Sequence, residues 1–213
     1  MTPRIIDDAE ALDLQYEFYE TPRPFTEWLV TVIERHERHP LSQSRLCEPC
    51  VGDGAIARVV PHQSLVTNDF DPRRAAYFRG DATNPLLWTD MSRAGAIDWT
   101  VTNTPFTETL PILKNALLFS ARGVALHVRS TINEPLKTPG LGRSFLRANP
   151  PNMTLWLPRF AYRRSRTTGK WATDSATCCW LVWCVSMGNT QIVEYAPEWV
   201  INATQTIQKL RGK

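Results

Sequence analysis

Leu46–Ile56, with the sequence LCEPCVGDGAI, reads as an apolar strand that ends in an acid, turns through Gly52-Asp53-Gly54 and enters a segment of helical spacing. Glycine tolerates positive φ and puts no Cβ between backbone and ligand, so such a turn lets a bound molecule approach closely. A helix start normally favours anions. Glu48 and Asp53 sit beside this one, however, and the G-x-G-x-x-G spacing of a dinucleotide site fails at Ala57. An acid at the strand end suits instead a ligand carrying positive charge, such as an ammonium or a sulfonium. Taken alone the stretch is equally a plain strand-to-helix turn, and the other strand ends of the chain must decide its meaning.

Short apolar or β-branched segments recur around it. They are Arg45–Glu48, Ser64–Asp69, a weak Tyr77–Gly80, Ile97–Asn103, Gly123–Arg129, Met153–Leu157 and Thr177–Val185. Helical spacing occupies Gly54–Val60, Pro72–Phe78 and Thr107–Ser120, the last with Leu110, Leu113, Leu117 and Leu118 recurring at three and four residues. Strands alternating with helices predict an α/β fold with a parallel sheet and helices on both faces. The closing strands arrive with no helix between them, which predicts an antiparallel strand or hairpin at the sheet's edge. Thr21–Arg38 predicts a helix opened by prolines, and Pro197–Leu210 a terminal amphipathic helix. Asn133–Pro151, rich in proline and glycine, reads as a long loop with a short helix at Arg143–Ala148.

Three further motifs end strands. Asn68-Asp69-Phe70-Asp71-Pro72 places Asp69 21 residues after Glu48, the distance at which an acid in doubly wound folds accepts from ribose hydroxyls. Asp71 reads as the cap of a helix begun by Pro72. Gly80-Asp81-Ala82 follows the weak third strand, where Asp81 either accepts from the amino group of an adenine ring or, taken alone, is merely part of a turn. Asn103-Thr104-Pro105-Phe106 ends the strand IDWTVTN, at the end where ligands bind in open α/β sheets. An amino nitrogen conjugated to a base has its lone pair drawn into the ring. The Asn103 side-chain carbonyl and the Thr104 backbone carbonyl form an acceptor pair for its two hydrogens, favouring a tetrahedral nitrogen whose lone pair can attack. Phe106 offers an apolar face on which a flipped base can stack; taken alone, Asn103 is as readily a turn residue and Phe106 a core aromatic.

The ordered motifs TP…EPxxGxG…NDFDP…GDA…NTPF resemble the class I S-adenosylmethionine-dependent methyltransferases, in the amino-methyltransferase branch with an Asn-Pro-Pro-aromatic motif. The motif resemblance covers roughly Tyr19 to Phe106 and continues to about Cys184 by element order. It implies a Rossmann-like class I methyltransferase fold, a mostly parallel seven-stranded sheet with an antiparallel edge strand, and S-adenosylmethionine as cofactor. By resemblance, Thr21 and Pro22 flank the methionine part of the cofactor. Glu48, Gly52 and Gly54 line its amino acid, Asp69 binds the ribose, Asp81 and Ala82 meet the adenine ring, and Asn103, Thr104, Pro105 and Phe106 receive the target amine. The segment TDSATCCWLVW, with Arg129 and Leu157-Pro158-Arg159-Phe160, is similar to phage- and prophage-type DNA adenine methyltransferases. The substrate this implies is adenine in DNA, with RNA bases or a protein glutamine amide as alternatives at the same kind of site. One departure is Thr104, where the family has proline. The backbone carbonyl survives, but an N–H is added and φ loosens. A chain that keeps the fold without transferring methyl is the alternative this residue raises. A nicotinamide-dependent dehydrogenase is disfavoured by Ala57 and by the acid at the glycine turn.

Composition and charge agree with one domain over residues 1–213, with 131–170 as a substrate-recognition region and no separate target-recognition domain. The net charge of +3 proves no polyanionic partner. Its distribution is more telling: Arg143, Arg147, Arg159, Arg163, Arg164, Arg166 and Lys170 occur with no acid among them. That block is either a solvated surface loop or a phosphate-neutralising surface, with DNA favoured over RNA as its partner. Five cysteines exclude a complete disulfide framework. Cys47 and Cys50 form one pair, and Cys178 and Cys179 are adjacent and would point to opposite faces of a strand, so no metal site is expected. No apolar run reaches the roughly 18–20 residues that cross a bilayer, and the acidic N-terminus lacks a signal-peptide layout. The expected location is the cytoplasm of a bacterial or phage-infected cell, with no membrane partner.

Overall fold

The computed structural model describes residues 19–133, 141–164, 171–172 and 177–211. In chain order the elements are α1 (Arg23–His36), β1 (Arg45–Glu48), β2 (Ser64–Thr67), α2 (Pro85–Arg93), β3 (Ile97–Asn103), α3 (Thr109–Phe119), β4 (Ser120–Arg129), α4 (Leu141–Ala148) and β5 (Met153–Trp156). They continue with β6 (Arg163–Arg164), β7 (Trp171–Ala172), β8 (Cys178–Cys184), β9 (Ile192–Tyr195) and α5 (Glu198–Arg211). Seven strands form one sheet in the order β2-β1-β3-β4-β8-β5-β9, while β6 and β7 form a separate two-stranded ribbon. Neighbours run parallel except at β8, which is antiparallel to both β4 and β5.

This is the mostly parallel, doubly wound sheet that the alternation of elements predicts. Strand side chains alternate between two cores. Trp99, Val101, Ala125, Trp180 and Val182 pack with Phe25, Trp28, Leu29, Val32 and Ile33 of α1 and Val200 of α5. Val124, Leu126, Cys179, Leu181 and Trp183 pack with Trp88 and Met91 of α2, Ile112 and Leu113 of α3, and Leu146 of α4. Cys178 and Cys179 accordingly fall on opposite faces. The sheet approaches itself most tightly at Gly123, where an added Cβ would stand 2.3 Å from the Trp99 ring and 2.7 Å from the Trp183 carbonyl oxygen.

The reversed strand stands third from its edge, with β5 and β9 outside it. Its composition explains why. All seven residues of β8 are buried, and a strand apolar on both faces needs cover on both. The outermost strand is β9, whose alternating half-buried and exposed residues leave Val193 and Tyr195 in solvent. The expected strand at Tyr77–Gly80 contracts to a single bridge between Asn68 and Phe78, so β9 supplies the seventh strand in its place.

Two expected helices are turns. Gly54–Val60 keeps the bonds Arg58 N–H to Gly54 O and Val60 N–H to Ile56 O, and Pro61 then supplies no N–H to extend them. Over Pro72–Phe78 the Asp71 carboxylate takes the Arg73 N–H and binds the Arg73 and Arg74 side chains, so Asp71 organises a turn and caps no helix. The helix on this stretch of chain comes later, as α2. Asn84 accepts from the Leu86 N–H and Pro85 occupies the first turn, a start signal of the usual kind.

Candidate active site

The chain runs from β1 outward to β2 and then crosses to β3 on the other side of β1, so a crevice opens between the carboxyl ends of β1 and β3. Crevices at such reversals are where open α/β sheets bind ligands. Glu48 ends β1 and Asn103 ends β3, and both line a cavity of about 440 Å³. Its walls also include Thr21, the turn Pro49–Asp53, Asn68–Asp71, Gly80–Thr83 and Pro105.

A buried amide ties three of these segments together. Asn68 Nδ2 donates to the carbonyls of Pro49 and Gly80, both at 2.9 Å, and Asn68 Oδ1 accepts from the Gly80 N–H at 2.9 Å. Asp69 adds a second tie, with Oδ2 accepting from the Gly52 N–H at 2.7 Å and Oδ1 from the Asp71 N–H at 2.9 Å. Gly52 takes φ +52°, the left-handed region that a Cβ disfavours. Asn115 of α3 donates to the carbonyls of Ala82 and Thr83, and Asp81 accepts from the Thr83 N–H. The polar backbone groups at the tips are thus used to hold the walls in place.

Seven of the lining residues are acids (Glu20, Glu48, Asp53, Asp69, Asp71, Asp81 and Glu108) and one, Arg74, is basic. Arg74 is already engaged with Asp53 at 2.6 Å. This charge balance repels a pyrophosphate and attracts a cation. Glu48 is the most buried of these acids, at 1% exposure, and among the described residues its Oε2 has no hydrogen-bond partner. Burial pushes its carboxyl well above the usual range, opposed by the Ala57 N–H and reinforced by Asp69. Asp69 is raised too, by burial first, with the Gly52 and Asp71 N–H groups working the other way.

At the β3 end, Asn103 Nδ2 donates to the Tyr19 carbonyl at 2.7 Å and to Thr21 Oγ1 at 3.1 Å. Asn103 Oδ1 lies 3.1 Å from Nδ1 of His127, its neighbour across β3 and β4. His127 Nε2 lies 3.0 Å from the Tyr162 hydroxyl. The imidazole is fully buried among Phe25, Trp180 and Tyr162, and desolvation holds its pKa down to about 3. Phe106 stacks on Tyr19, with ring centroids 5.5 Å apart, and the Arg129 guanidinium lies over Phe106 at 4.3 Å.

Of the residues singled out by sequence, Thr21, Glu48, Gly52, Asp69, Asp81, Ala82, Asn103 and Pro105 meet at this cavity. Four others stand off it. Pro22 opens α1, its carbonyl accepting from the Phe25 N–H. Gly54, at φ +75°, borders the neighbouring hollow with Arg58 and His62. Thr104 is buried beneath the tip, its hydroxyl bonded to Thr109 at 2.8 Å, and Phe106 is covered by Tyr19 and Arg129. In the basic block, Arg147 and Arg159 are exposed, while Arg143 lies in α4 and Arg163 and Arg164 in β6. Arg166 and Lys170 lie outside the described residues. Sequence reasoning missed Tyr19, Asn68, His127 and Tyr162. The available signals were a lone histidine in the apolar run GVALHVR and the asparagine that precedes Asp69.

No protein-family model and no curated protein sequence matches the chain. Solved structures match its fold. DrdV, in a complex with DNA, superposes with a TM-score of 0.59 at 12% identity, over 92% of this chain and 30% of that one. A Listeria monocytogenes protein assigned to the class I S-adenosylmethionine-dependent methyltransferases gives 0.56 at 11% identity, over 91% of this chain and 72% of that one. The ATP-dependent Type ISP restriction-modification enzyme LlaBIII, bound to DNA, gives 0.55 at 8% identity, over 90% and 20%. The chain spans less than a third of either DNA-bound protein. What is shared at such identities is the architecture, a Rossmann-like methyltransferase fold. Among the described residues, no helix is long and apolar enough to cross a membrane.

Proposed function

From that fold as premise, we propose that the chain binds S-adenosylmethionine and transfers its methyl group to an exocyclic amino nitrogen, that of adenine in DNA. The observation that carries this reading is the pairing, in one cavity, of an acid-rich half with an amide tip. The buried Glu48 carboxyl, with Oε2 unpartnered, fits a positively charged ligand and no anionic one. When bound, S-adenosylmethionine supplies a sulfonium methyl group open to attack by a nitrogen nucleophile.

Glu48 and the turn at Gly52 hold the amino-acid end of the cofactor, Asp69 accepts from the ribose hydroxyls, and Asp81 with the Ala82 backbone meets the adenine ring. Asn103 Oδ1 accepts one hydrogen of the target amine, and the Thr104 backbone carbonyl takes the other once the tip that buries it has opened. Acceptors held in advance of the reaction favour the tetrahedral nitrogen that attacks. The buried Thr104 side chain is satisfied by Thr109, which suits threonine at a position where the related motif has proline. Phe106 and Arg129 provide a face for a planar base, which must displace the Tyr19 ring to stack there. DNA is preferred as the substrate on the exposed Arg147 and Arg159, together with the DNA complexes of two proteins of this fold.

Incubation with S-adenosylmethionine carrying a labelled methyl group, on unmethylated DNA, RNA and protein in parallel, tests the reading. Label is expected in DNA and, after hydrolysis, in N6-methyladenine. Cofactor binding by calorimetry without transfer to any of the three would leave a binding protein of methyltransferase fold.

A further inference from the structure

The polarity of the hydrogen bonds around Asn103 is set from one end. The Tyr19 carbonyl is a pure acceptor, so the Asn103 atom 2.7 Å from it must be the NH₂ nitrogen. The reversed amide would set two acceptors against each other. With Nδ2 committed to Tyr19 and Thr21, Oδ1 must face His127, and the ring atom 3.1 Å away must carry a proton. A neutral imidazole protonated on Nδ1 has a bare Nε2, and the Tyr162 hydroxyl at 3.0 Å is placed to donate to it. The chain of donors therefore runs Tyr162 O–H to His127, His127 Nδ1–H to Asn103 Oδ1, and Asn103 N–H to the Tyr19 carbonyl. One Oδ1 lone pair is spent on His127, and the other remains for a donor in the cavity that Asn103 lines.

We infer that His127 and Tyr162 are positioning residues, a buried relay that completes, from the Oδ1 side, the lock begun by the Tyr19 carbonyl, so that the Asn103 amide presents its oxygen to an N–H-bearing substrate. The inference rests on reading Asn103 as the acceptor of the target amine. It adds a reason why that site takes a donor. An amide free to turn would offer NH₂ as readily as C=O, and NH₂ repels an amine's hydrogens. The relay is screened from water by Phe25, Trp180 and Tyr162 around a fully buried ring, so no solvent molecule competes for the imidazole nitrogens. Burial also keeps the ring neutral across the range in which an exposed histidine would titrate. A cationic ring would donate from both nitrogens and oblige Tyr162 to turn its own proton away.

The experiment joins a tautomer readout to kinetics. In nitrogen-15-labelled protein, long-range proton–nitrogen spectra should show a neutral His127 protonated on Nδ1 between about pH 5 and 8. A proton on Nε2, or titration within that range, would overturn the relay. Two variants of similar size then separate donor from filler. His127→Asn keeps an N–H close to the ring Nδ1–H, and His127→Leu keeps none. The leucine variant should lower kcat about 10- to 100-fold with the cofactor Kd unchanged, and the asparagine variant should recover most of that loss. Equal kcat in the two, with cofactor binding intact, would reduce His127 to packing. Should His127→Leu not fold, Tyr162→Phe removes only one hydroxyl. The Nδ1–H tautomer, which Asn103 Oδ1 dictates, should persist while kcat falls several-fold, and an unchanged rate would sink the role of Tyr162 in the relay. If the wild-type protein methylates nothing, the methyl-transfer reading fails, while the His127 tautomer still decides the relay by itself.

Discussion

On the Glu48 side of the cavity most of the bonds that shape the walls join residues 2 to 19 positions apart, the Asn115 bonds to Ala82 and Thr83 reaching further, and nearly all use a backbone group as donor or acceptor. On the Asn103 side they join residues 24 to 84 positions apart, and most run from side chain to side chain. The first half is a nest of turns whose shape follows from short motifs. The second is one amide side chain held by partners from three distant segments. The two should therefore fail differently: damage to the turns shows as lost stability and cofactor affinity, and damage at the tip shows as lost turnover.

The sharpest break in that contrast is Asn103→Ala. Removing the acceptor should lower kcat by about a thousandfold or more while the cofactor Kd, measured by calorimetry, stays within a factor of about three, a change of less than 1 kcal/mol. Retained methyl transfer would take the chemistry away from this residue. Asn68→Ala is the counterpart on the other side. It strands the Pro49 and Gly80 carbonyls and the Gly80 N–H at a fully buried position. A loss of about 2–4 kcal/mol in urea unfolding is expected, together with weaker cofactor binding. A variant as stable as wild type would show that the three turns hold their positions without the amide.

The same contrast accounts for which parts of the site are legible in the sequence. LCEPCVGDG, NDFDP and GDA each build a turn and face the cavity with the same few residues, so their spacing alone brings Glu48, Gly52, Asp69 and Asp81 to one cavity. Gly54 has the same residue type in the same turn, but its φ of +75° serves the backbone and leaves it on the neighbouring hollow. His127 carries no local pattern. It matters because β4 pairs in register with β3 and sets it beside Asn103, and Tyr162 reaches it from 35 residues away. For the fold, periodicity locates the buried strands well and the exposed ones poorly. The uniformly apolar β8 is evident, whereas β9 goes unread although Ile192, Val193 and Tyr195 are strand formers, because its half-exposed residues show no apolar face, and Tyr77–Gly80 forms only a bridge. Helical spacing also overrates Pro72–Phe78, where Asp71 makes a cap-type bond to the Arg73 N–H but no helix follows.

A smaller effect is expected at Asp69, because its carboxylate both accepts from the Gly52 N–H and faces the cavity. Asp69→Ala should weaken cofactor binding about 10- to 100-fold, the 1.4–2.8 kcal/mol of one charged hydrogen bond, with kcat near wild type once cofactor is saturating. Asp69→Asn, which keeps an acceptor for Gly52, should lose less. An unchanged Kd in both would remove Asp69 from the ligand, and a fall in kcat alone would blur the division between the two halves.

The subtlest test concerns Glu48, where ligand affinity and stability should oppose each other. Its carboxyl, raised first of all by burial, holds a proton more tightly in the folded chain than in the unfolded one. Between the ordinary glutamate value of about 4.3 and the raised folded value, the native state binds the extra proton. Stability of the unliganded protein therefore falls as pH rises through that window. Glu48→Gln has nearly the same shape and no titration. Below the window the two proteins should melt alike, and towards neutral pH the variant should be modestly the more stable in scanning calorimetry. Asp69 titrates in both proteins, so the difference reads Glu48 together with its repulsion from Asp69. Adding S-adenosylmethionine should reverse the ranking, because a cationic ligand stabilises the ionised Glu48 and gives glutamine no such gain. A variant that is less stable than wild type at neutral pH without ligand would mean that Glu48 already has a counter-charge within the protein, and the cavity's preference for a cation would lose its main support.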